Sequence, residues 1–184
     1  MTTYSLKNHF LIAMPGLADS RFSKTVTYIC EHNEGGAMGI VINQPSSITY
    51  SELFSQLALG GDITNDLPLL LGGPVKKERG FVLHSGEKSW ASTMSVSDDI
   101  SVTGSKDILA AIANNQGPSK MLIALGYAGW SNNQLEQEIV ANSWLTVPAD
   151  QRIIFDTPIE ERWTSSAKQL GIDLHLLSTQ AGHA

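Results

Sequence analysis

The pattern of apolar and polar side chains is clearest at residues 22–45, where it predicts a β-hairpin. Residues 25–30 are rich in β-branched and aromatic side chains, which favour a strand. Residues 37–42 form an almost unbroken apolar run, which is typical of a strand buried on both faces. The polar corner between them ends in the turn dipeptide Gly35-Gly36. Simple alternation puts Cys30 and His32 on the same face of the first strand.

The other periodicities predict a mixture of strands and helices. Strands are predicted at residues 9–14, 69–71, 81–84, 93–96, 100–103, 121–125, 144–147, 153–155 and 174–177. Helices are predicted to start at Thr49, Ser105, Asn133 and Thr157, and the first is predicted to end at Gly60-Gly61. Because hairpins and helices interleave irregularly, we expect an α+β fold with a mixed sheet rather than a regular βαβ array.

Composition sets limits on the class of protein. A length of 184 residues predicts a single domain over residues 1–184, with residues 1–7 and 178–184 loosely held. The one cysteine excludes an internal disulfide and suits a reducing compartment. The first eight residues lack a signal pattern, and no apolar run approaches the ~20 residues of a membrane helix. These features predict a soluble, cytoplasmic protein that does not enter a membrane.

Net charge argues against direct binding of DNA. The chain has 12 Lys and Arg against 18 Asp and Glu, a balance of −6, whereas tight duplex binding uses about 6–10 phosphate contacts. Lys76, Lys77 and Arg79 form the one basic cluster, and no helix pair has the spacing of a helix-turn-helix motif with a basic second helix. Four tryptophans could mark a surface for a protein partner or lie in the core: Trp90, Trp130, Trp144 and Trp163.

Six polar residues lie at predicted strand ends or at a helix start, where functional groups often gather. They are Glu31, His32, Asn33, Asn43, His84 and Glu136. One hypothesis is that they share a pocket for a ligand or partner, in which either histidine could act as a general base near neutral pH. The alternative is that each is a separate turn or capping residue.

The sequence gives weaker evidence for a metal site, for a nucleophilic thiol and for a nucleotide-binding loop. Cys30, His32 and His84 could begin a metal site, but structural zinc uses four nitrogen or sulfur ligands. Cys30 could also be a nucleophile beside His32, or simply a small core residue. Glycines at residues 35–39 lead into a strand rather than a helix, and residues 104–106 lack the order of a phosphate-binding loop. We therefore predict no metal and no cofactor.

Four segments carry a resemblance to a known family. They are Met14-Pro15-Gly16-Leu17 through Asn43-Gln44-Pro45; Gly72-Gly73-Pro74-Val75 with Arg79-Gly80-Phe81-Val82-Leu83-His84; Gly126-Tyr127-Ala128-Gly129-Trp130 with Gln134-Leu135-Glu136 and Asn142-Ser143-Trp144-Leu145; and Phe155 and Pro158 with Trp163. In order and spacing the chain resembles the YqgE/AlgH family of bacterial proteins. One departure is Asn133, where the family pattern usually has glycine; asparagine tolerates a left-handed backbone.

The resemblance implies an α+β fold with a mixed, bifurcated β-sheet, partly closed into a small barrel and surrounded by helices. On function it implies little: some members are described as transcriptional regulators, partly through a link to alginate production. That description names a phenotype rather than a reaction. We therefore expect a binding or regulatory protein that acts indirectly on transcription, through a protein partner or a small ligand. The alternative is a hydrolase-like enzyme that uses Glu31, His32 and His84.

Overall fold

A ten-stranded sheet organises the computed structural model, which describes residues 5–17, 19, 22–59, 67–174 and 176. The strands are β1 (His9–Ala13), β2 (Val26–Asn33), β3 (Gly36–Val41), β4 (Pro45–Thr49), β5 (Pro68–Leu71), β6 (Val75–Ser85), β7 (Thr93–Ser95), β8 (Ile100–Thr103), β9 (Met121–Trp130) and β10 (Trp144–Pro148). The helices are α1 (Tyr50–Gln56), α2 (Asp107–Ala113), α3 (Gln134–Val140), α4 (Gln151–Phe155) and α5 (Arg162–Lys168), with a 3-10 turn at Ile159–Glu161 before α5.

The sheet divides at β9. Its main path runs β10-β1-β2-β3-β9-β6-β8-β7. One edge of β9 pairs antiparallel with β3 near Ala128 and parallel with β5 at Leu125, while the other edge pairs with β6. Between these two pairings Gly126 has a φ of +75°, and a Cβ there would lie 2.5 Å from the Gly73 carbonyl oxygen. The predicted mixed, bifurcated α+β architecture is confirmed, and the sheet curls into a half-barrel.

Three apolar clusters attach the helices to the sheet. The first joins β1–β3 and β6 to α4 and α5 through residues such as Ile154 and Trp163. The second lies under α3, where Leu135 packs with Ala128 of β9. The third contains Phe54 of α1 and Ile108 of α2. No helix among the described residues is both long and apolar enough to cross a membrane.

Some predicted elements are wrong. Residues 153–155 belong to α4 rather than a strand, because the Asp150 side chain accepts a hydrogen bond from the Arg152 N–H at 2.9 Å and caps a helix. Leu174 and Leu176 have helical backbone instead of the predicted strand. Leu6, which belongs to the segment expected to be loosely held, is 1% exposed. The predicted helix end at residues 60–61 and the tail at 178–184 lie outside the described residues.

Candidate functional site

The structure brings together two of the six predicted residues that are far apart in sequence. His32 Nε2 lies 2.5 Å from Glu136 Oε1, which joins the end of β2 to the first turn of α3. The other ring nitrogen, Nδ1, accepts a hydrogen bond of 2.8 Å from the Leu6 N–H. The side chain of His32 is 3% exposed and that of Glu136 is 43% exposed. The imidazole therefore ties the N-terminal segment and α3 to the hairpin.

A β-bulge places His32 in this position. The register between β2 and β3 shifts between Ile29 and Glu31, so Cys30 has no direct partner on β3. A bulge of this kind changes the face on which the following side chains lie. Cys30 lies in the first cluster, whereas His32 reaches Leu6 of the second cluster and Glu136 beside it. The prediction that Cys30 and His32 share a face is therefore wrong.

The hydrogen bonds of His32 define which of its ring nitrogens carries the proton. Because a backbone N–H can only donate, Nδ1 must be the acceptor and the ring proton must be on Nε2, from which it is donated to Glu136. Burial acts to raise the pKa of Glu136, but the hydrogen bond from His32 and the Glu136 backbone N–H outweigh it, so this pKa lies below its ordinary value. Neither ring nitrogen of His32 is left to take a proton from a substrate.

Asn133 and Glu136 have the spacing of a capping box at the start of α3, but that interaction does not form. Asn133 has a left-handed backbone with φ 62°, as the resemblance allowed, and its side chain makes no capping hydrogen bond. The carboxylate of Glu136 instead faces His32.

The two neighbours of His32 lie at the end of β2, next to the turn of the hairpin. Asn33 Oδ1 accepts a hydrogen bond of 2.8 Å from the Gly35 N–H, which is a turn-forming contact. Glu31 is exposed and pairs across the hairpin with Met38. Both residues are thus close to His32 along the chain, although neither contacts the His32–Glu136 pair through a hydrogen bond that the structure shows.

Asn43 lies at the other end of the hairpin. Its Oδ1 accepts from the Val26 N–H at 2.9 Å, and its Nδ2 donates to the Lys24 carbonyl at 2.9 Å. Val26 begins β2 and His32 is six residues further along, which at about 3.3 Å per residue is roughly 20 Å. The structure therefore does not bring Asn43 together with His32, and Asn43 closes the base of the hairpin.

His84 also lies away from the corner. It pairs with Met121 at the start of β9, whereas His32 lies beside Ala37, which pairs with Trp130 at the end of β9. Nine residues of strand correspond to roughly 30 Å. The structure therefore does not bring His84 together with His32, because the two histidines lie near opposite ends of β9.

The environment of His84 is a buried polar contact inside the sheet. Nε2 lies 2.7 Å from Thr103 Oγ1, Nδ1 lies 2.8 Å from the Ser85 carbonyl, and the ring packs edge-on against Trp90. Since a carbonyl only accepts, Nδ1 donates. Burial lowers the pKa of His84, although the Ser85 carbonyl and the charge of Glu87 oppose that shift.

Cys30 is a core residue. Its side chain is 0% exposed, its thiol lies 3.7 Å from the Tyr28 carbonyl, and burial raises its pKa. A thiol with a raised pKa is a poor nucleophile. Within the described ranges, no three His, Cys, Asp or Glu side chains are grouped as metal ligands would be. The tryptophans are also largely core: Trp130, Trp144 and Trp163 are buried, and Trp90 is half-buried.

A cleft that the sequence interpretation missed lies over the start of β9, with a volume of 370 Å³. We call it the Arg162 cleft. Its apolar walls are Leu67, Pro68, Leu70, Met121, Leu122, Ile154, Phe155, Pro158 and Ile159, and its polar lining is Tyr50, Asp156, Thr157, Glu160 and Arg162. Arg162 is 7% exposed and Tyr50 is 3% exposed, so these two lie at its base. Two other clefts, over β10 and beside α5, contain no buried charged side chain.

The guanidinium of Arg162 contacts backbone carbonyls rather than a carboxylate. Nε donates to the Thr157 carbonyl at 2.9 Å, and Nη1 donates to the carbonyl of Ile42 at the end of β3. Within the described part of the chain Arg162 has no ion pair. Burial lowers the pKa of Arg162, although Tyr50 and Glu160 oppose that shift. An arginine side chain nevertheless stays charged in proteins, so the cleft has a buried cation at its base.

Tyr50 provides a second hydrogen-bond donor at the base of the cleft, its hydroxyl proton. Its hydroxyl oxygen accepts a hydrogen bond of 3.1 Å from the Ile123 N–H of β9. Burial raises the pKa of Tyr50, although the Ile123 N–H and the charge of Arg162 act in the opposite direction. The phenol therefore keeps its proton at neutral pH.

The sequence does contain a signal for this cleft. The buried positions of α5 are Arg162, Trp163, Ser166 and Ala167, which follow the helical period. Trp163 and Ala167 identify the inward face of the predicted helix, and Arg162 falls on the same face. A cation on an apolar helical face is uncommon. That observation alone could have selected Arg162.

Comparison with known proteins shows close relatives. The model of a family described as AlgH-like matches residues 10–175. A UPF0301 protein of Saccharophagus degradans is 58% identical over 181 residues, which are 98% of this chain and 89% of that protein. A UPF0301 protein of Pseudoalteromonas translucida is 51% identical over 183 residues, with 98% and 99% of the two chains covered.

The solved structures that are similar to this chain include the following two. The solution structure of the AlgH protein from Pseudomonas aeruginosa has 49% sequence identity, a TM-score of 0.80 and complete coverage of both chains, 100% and 100%. The crystal structure of a Corynebacterium diphtheriae protein has 19% identity, a TM-score of 0.73 and coverage of 97% of this chain and 94% of that one. At that identity the second likeness concerns the fold alone.

Proposed function

Because the chain belongs to the AlgH-like family, some of whose members are described as transcriptional regulators, we propose that it works by binding and that its effect on transcription is indirect. The recognised partner is a protein or a small ligand rather than DNA. We include a cytoplasmic location in the proposal, supported by a single cysteine that is buried and free.

The proposal is supported mainly by the hydrogen bonds of the two candidate general bases, His32 and His84. Both ring nitrogens of His32 and both of His84 already have partners within the protein. A general base needs a nitrogen within hydrogen-bond reach of the proton that it removes. His32 would have to release Glu136 or Leu6 before it could act, and His84 is 0% exposed.

A hydrolase-like enzyme using Glu31, His32 and His84 is the second candidate. It is less well supported, because His32 and His84 lie at opposite ends of β9. Direct DNA binding is also poorly supported. The net charge of −6 has the wrong sign for a phosphate surface.

The experiment compares turnover with binding on the purified full chain. We expect no hydrolysis above buffer level in a panel of ester, phosphoester, amide and glycoside substrates, and no gel shift of duplex DNA at low salt. We expect at least one compound of a metabolite library to raise the unfolding temperature, because a ligand that binds the folded state stabilises it. Turnover that His32→Gln or His84→Gln abolishes would overturn the proposal, as would a salt-sensitive DNA shift.

A further inference from the structure

We propose that the Arg162 cleft binds a small monocarboxylate with an apolar body, whose carboxylate is held by Arg162 and Tyr50. This inference rests on the proposed binding function and gives it a site and a ligand class. The site is separate from the His32–Glu136 pair, which joins α3 to the hairpin at the far end of β9.

Arg162 and Tyr50 have more hydrogen-bond donors than they have acceptors in the described chain. A guanidinium has five N–H donors and no acceptor. Two of those of Arg162 are used by the Thr157 and Ile42 carbonyls, which leaves both donors on Nη2 and one on Nη1 without a partner in the described chain. The Tyr50 hydroxyl accepts from Ile123, and its own proton likewise has no acceptor among the described residues. Donors without a protein acceptor at the base of a cleft favour binding of a ligand that has acceptor oxygens.

The buried charge of Arg162 also favours an anionic ligand. Burying a charge is costly unless an opposite charge accompanies it. Arg162 is 7% exposed, and backbone carbonyls supply partial charges rather than a full anion. An incoming carboxylate would supply that anion and would bond to a cation that the cleft already orients.

The apolar walls of the cleft determine the rest of the ligand. Nine of the fourteen lining residues are apolar, among them Leu70, Met121, Leu122, Ile154 and Phe155. The volume of 370 Å³ lies near the lower end of the ~300–1,000 Å³ range of ligand pockets. An inorganic anion would leave these walls in contact with water, whereas an aliphatic or aromatic tail would cover them. A small carboxylate with an apolar body matches both parts of the cleft.

The other charges around the cleft set its selectivity. Asp156 lines the cleft but forms an ion pair of 2.9 Å with Lys120, so these two charges largely cancel. Glu160 is exposed and forms no ion pair in the described chain. It is therefore the one acidic side chain of the lining without an ion-pair partner among the described residues, and it disfavours a second negative charge on the ligand. This is the reason for a monoanion rather than a polyanion.

The test uses sodium octanoate as the probe and the full ¹⁵N-labelled chain in an NMR titration. Octanoate is expected to give saturable shifts of the Ile123 and Thr157 amide signals. 1-Octanol has the same tail without the charge and is expected to bind at least about tenfold more weakly. Inorganic phosphate is expected to give no saturable shift of these two signals. Arg162→Met removes the cation and is expected to weaken octanoate binding at least about tenfold.

A second variant keeps the test decisive if Arg162→Met does not fold. Glu160→Gln removes an exposed negative charge, so octanoate should bind about two- to threefold more tightly. Glu161→Gln is the matched control, because Glu161 is the exposed neighbour that does not line the cleft, and binding should be unchanged. Equal binding of octanol and octanoate, tighter binding of phosphate, or no saturable shift with octanoate would each overturn the proposal.

The outcome can be separated from that of the proposed function. If octanoate fails to bind but the chain shows neither turnover nor a DNA shift, the ligand assignment is wrong and the binding function stands. If the chain hydrolyses a substrate while octanoate still binds at Arg162, the function is wrong and the site stands.

Discussion

His32 Nε2 and Glu136 Oε1 are 2.5 Å apart, although 104 positions separate the two residues in the sequence. The contact forms because a bulge at Cys30 directs His32 towards α3 and because the Glu136 side chain does not cap its own helix. Leu6 completes the interaction from the other side of the ring. The pair is thus a structural connection between the N-terminal segment, β2 and α3.

Glu136→Ala should therefore destabilise the fold. A hydrogen bond to a charged group contributes about 1.5–3 kcal/mol, and exposure of the Glu136 side chain reduces this to about 1 kcal/mol. Urea unfolding followed by tryptophan fluorescence measures the change. Glu34→Ala is the control, since Glu34 is an exposed turn residue of the same hairpin and should leave the midpoint unchanged. Equal midpoints for the two variants would contradict a structural role for the pair.

Stability should fall as the pH drops below the ordinary histidine pKa of 6.5, because of His84. Burial lowers the pKa of His84 in the folded protein, so the unfolded chain takes up the proton first and is favoured in acid. The contribution of His84 to the free energy of unfolding is therefore fully present above pH 6.5, where His84 is neutral in both states. It decreases as the pH falls towards the folded pKa, with a slope of at most about 1.4 kcal/mol per pH unit.

The matching variant is His84→Phe, which keeps an aromatic ring against Trp90 but cannot titrate. We expect it to be less stable at every pH and to lose the part of the pH slope that His84 contributes. Unfolding free energies measured between pH 5 and pH 7.5 provide the comparison. A slope that is identical in both proteins would show that His84 is not the titrating group.

Sequence patterns predicted most of the sheet and little of the site. The hairpin at residues 22–45 and the capping residue Thr49 follow local rules, and both are present. The bulge at Cys30 depends on how β2 pairs with β3, which alternation along one strand does not contain. The fourteen lining residues of the Arg162 cleft come from four separate segments of the chain. Their proximity is a property of the sheet topology.

Cys30 should be unreactive in the native protein. Its side chain is 0% exposed, and its pKa is raised by burial first and by the charge of Glu31 second. A water-soluble aromatic disulfide reagent should release one equivalent of chromophore only after denaturant is added. The denatured chain is the control for a reduced thiol. Rapid native labelling would contradict a core position for Cys30.

Asp150→Ala should weaken α4, which residue patterns alone assigned to a strand. Loss of the capping hydrogen bond to the Arg152 N–H is expected to cost about 1 kcal/mol. Thermal unfolding gives the change in stability. Asp150→Asn keeps an oxygen acceptor at the cap and should recover most of the loss. If both variants are equally unstable, the cap does not hold the helix.

The most direct test of a binding function centred on Arg162 is a crystal structure of the full chain grown with sodium octanoate. We predict that the carboxylate lies within hydrogen-bond distance of Arg162 Nη2 and the Tyr50 hydroxyl, with the alkyl chain against Leu70 and Phe155. A carboxylate bound at His32 or at a surface lysine, with no octanoate at Arg162, would contradict the account.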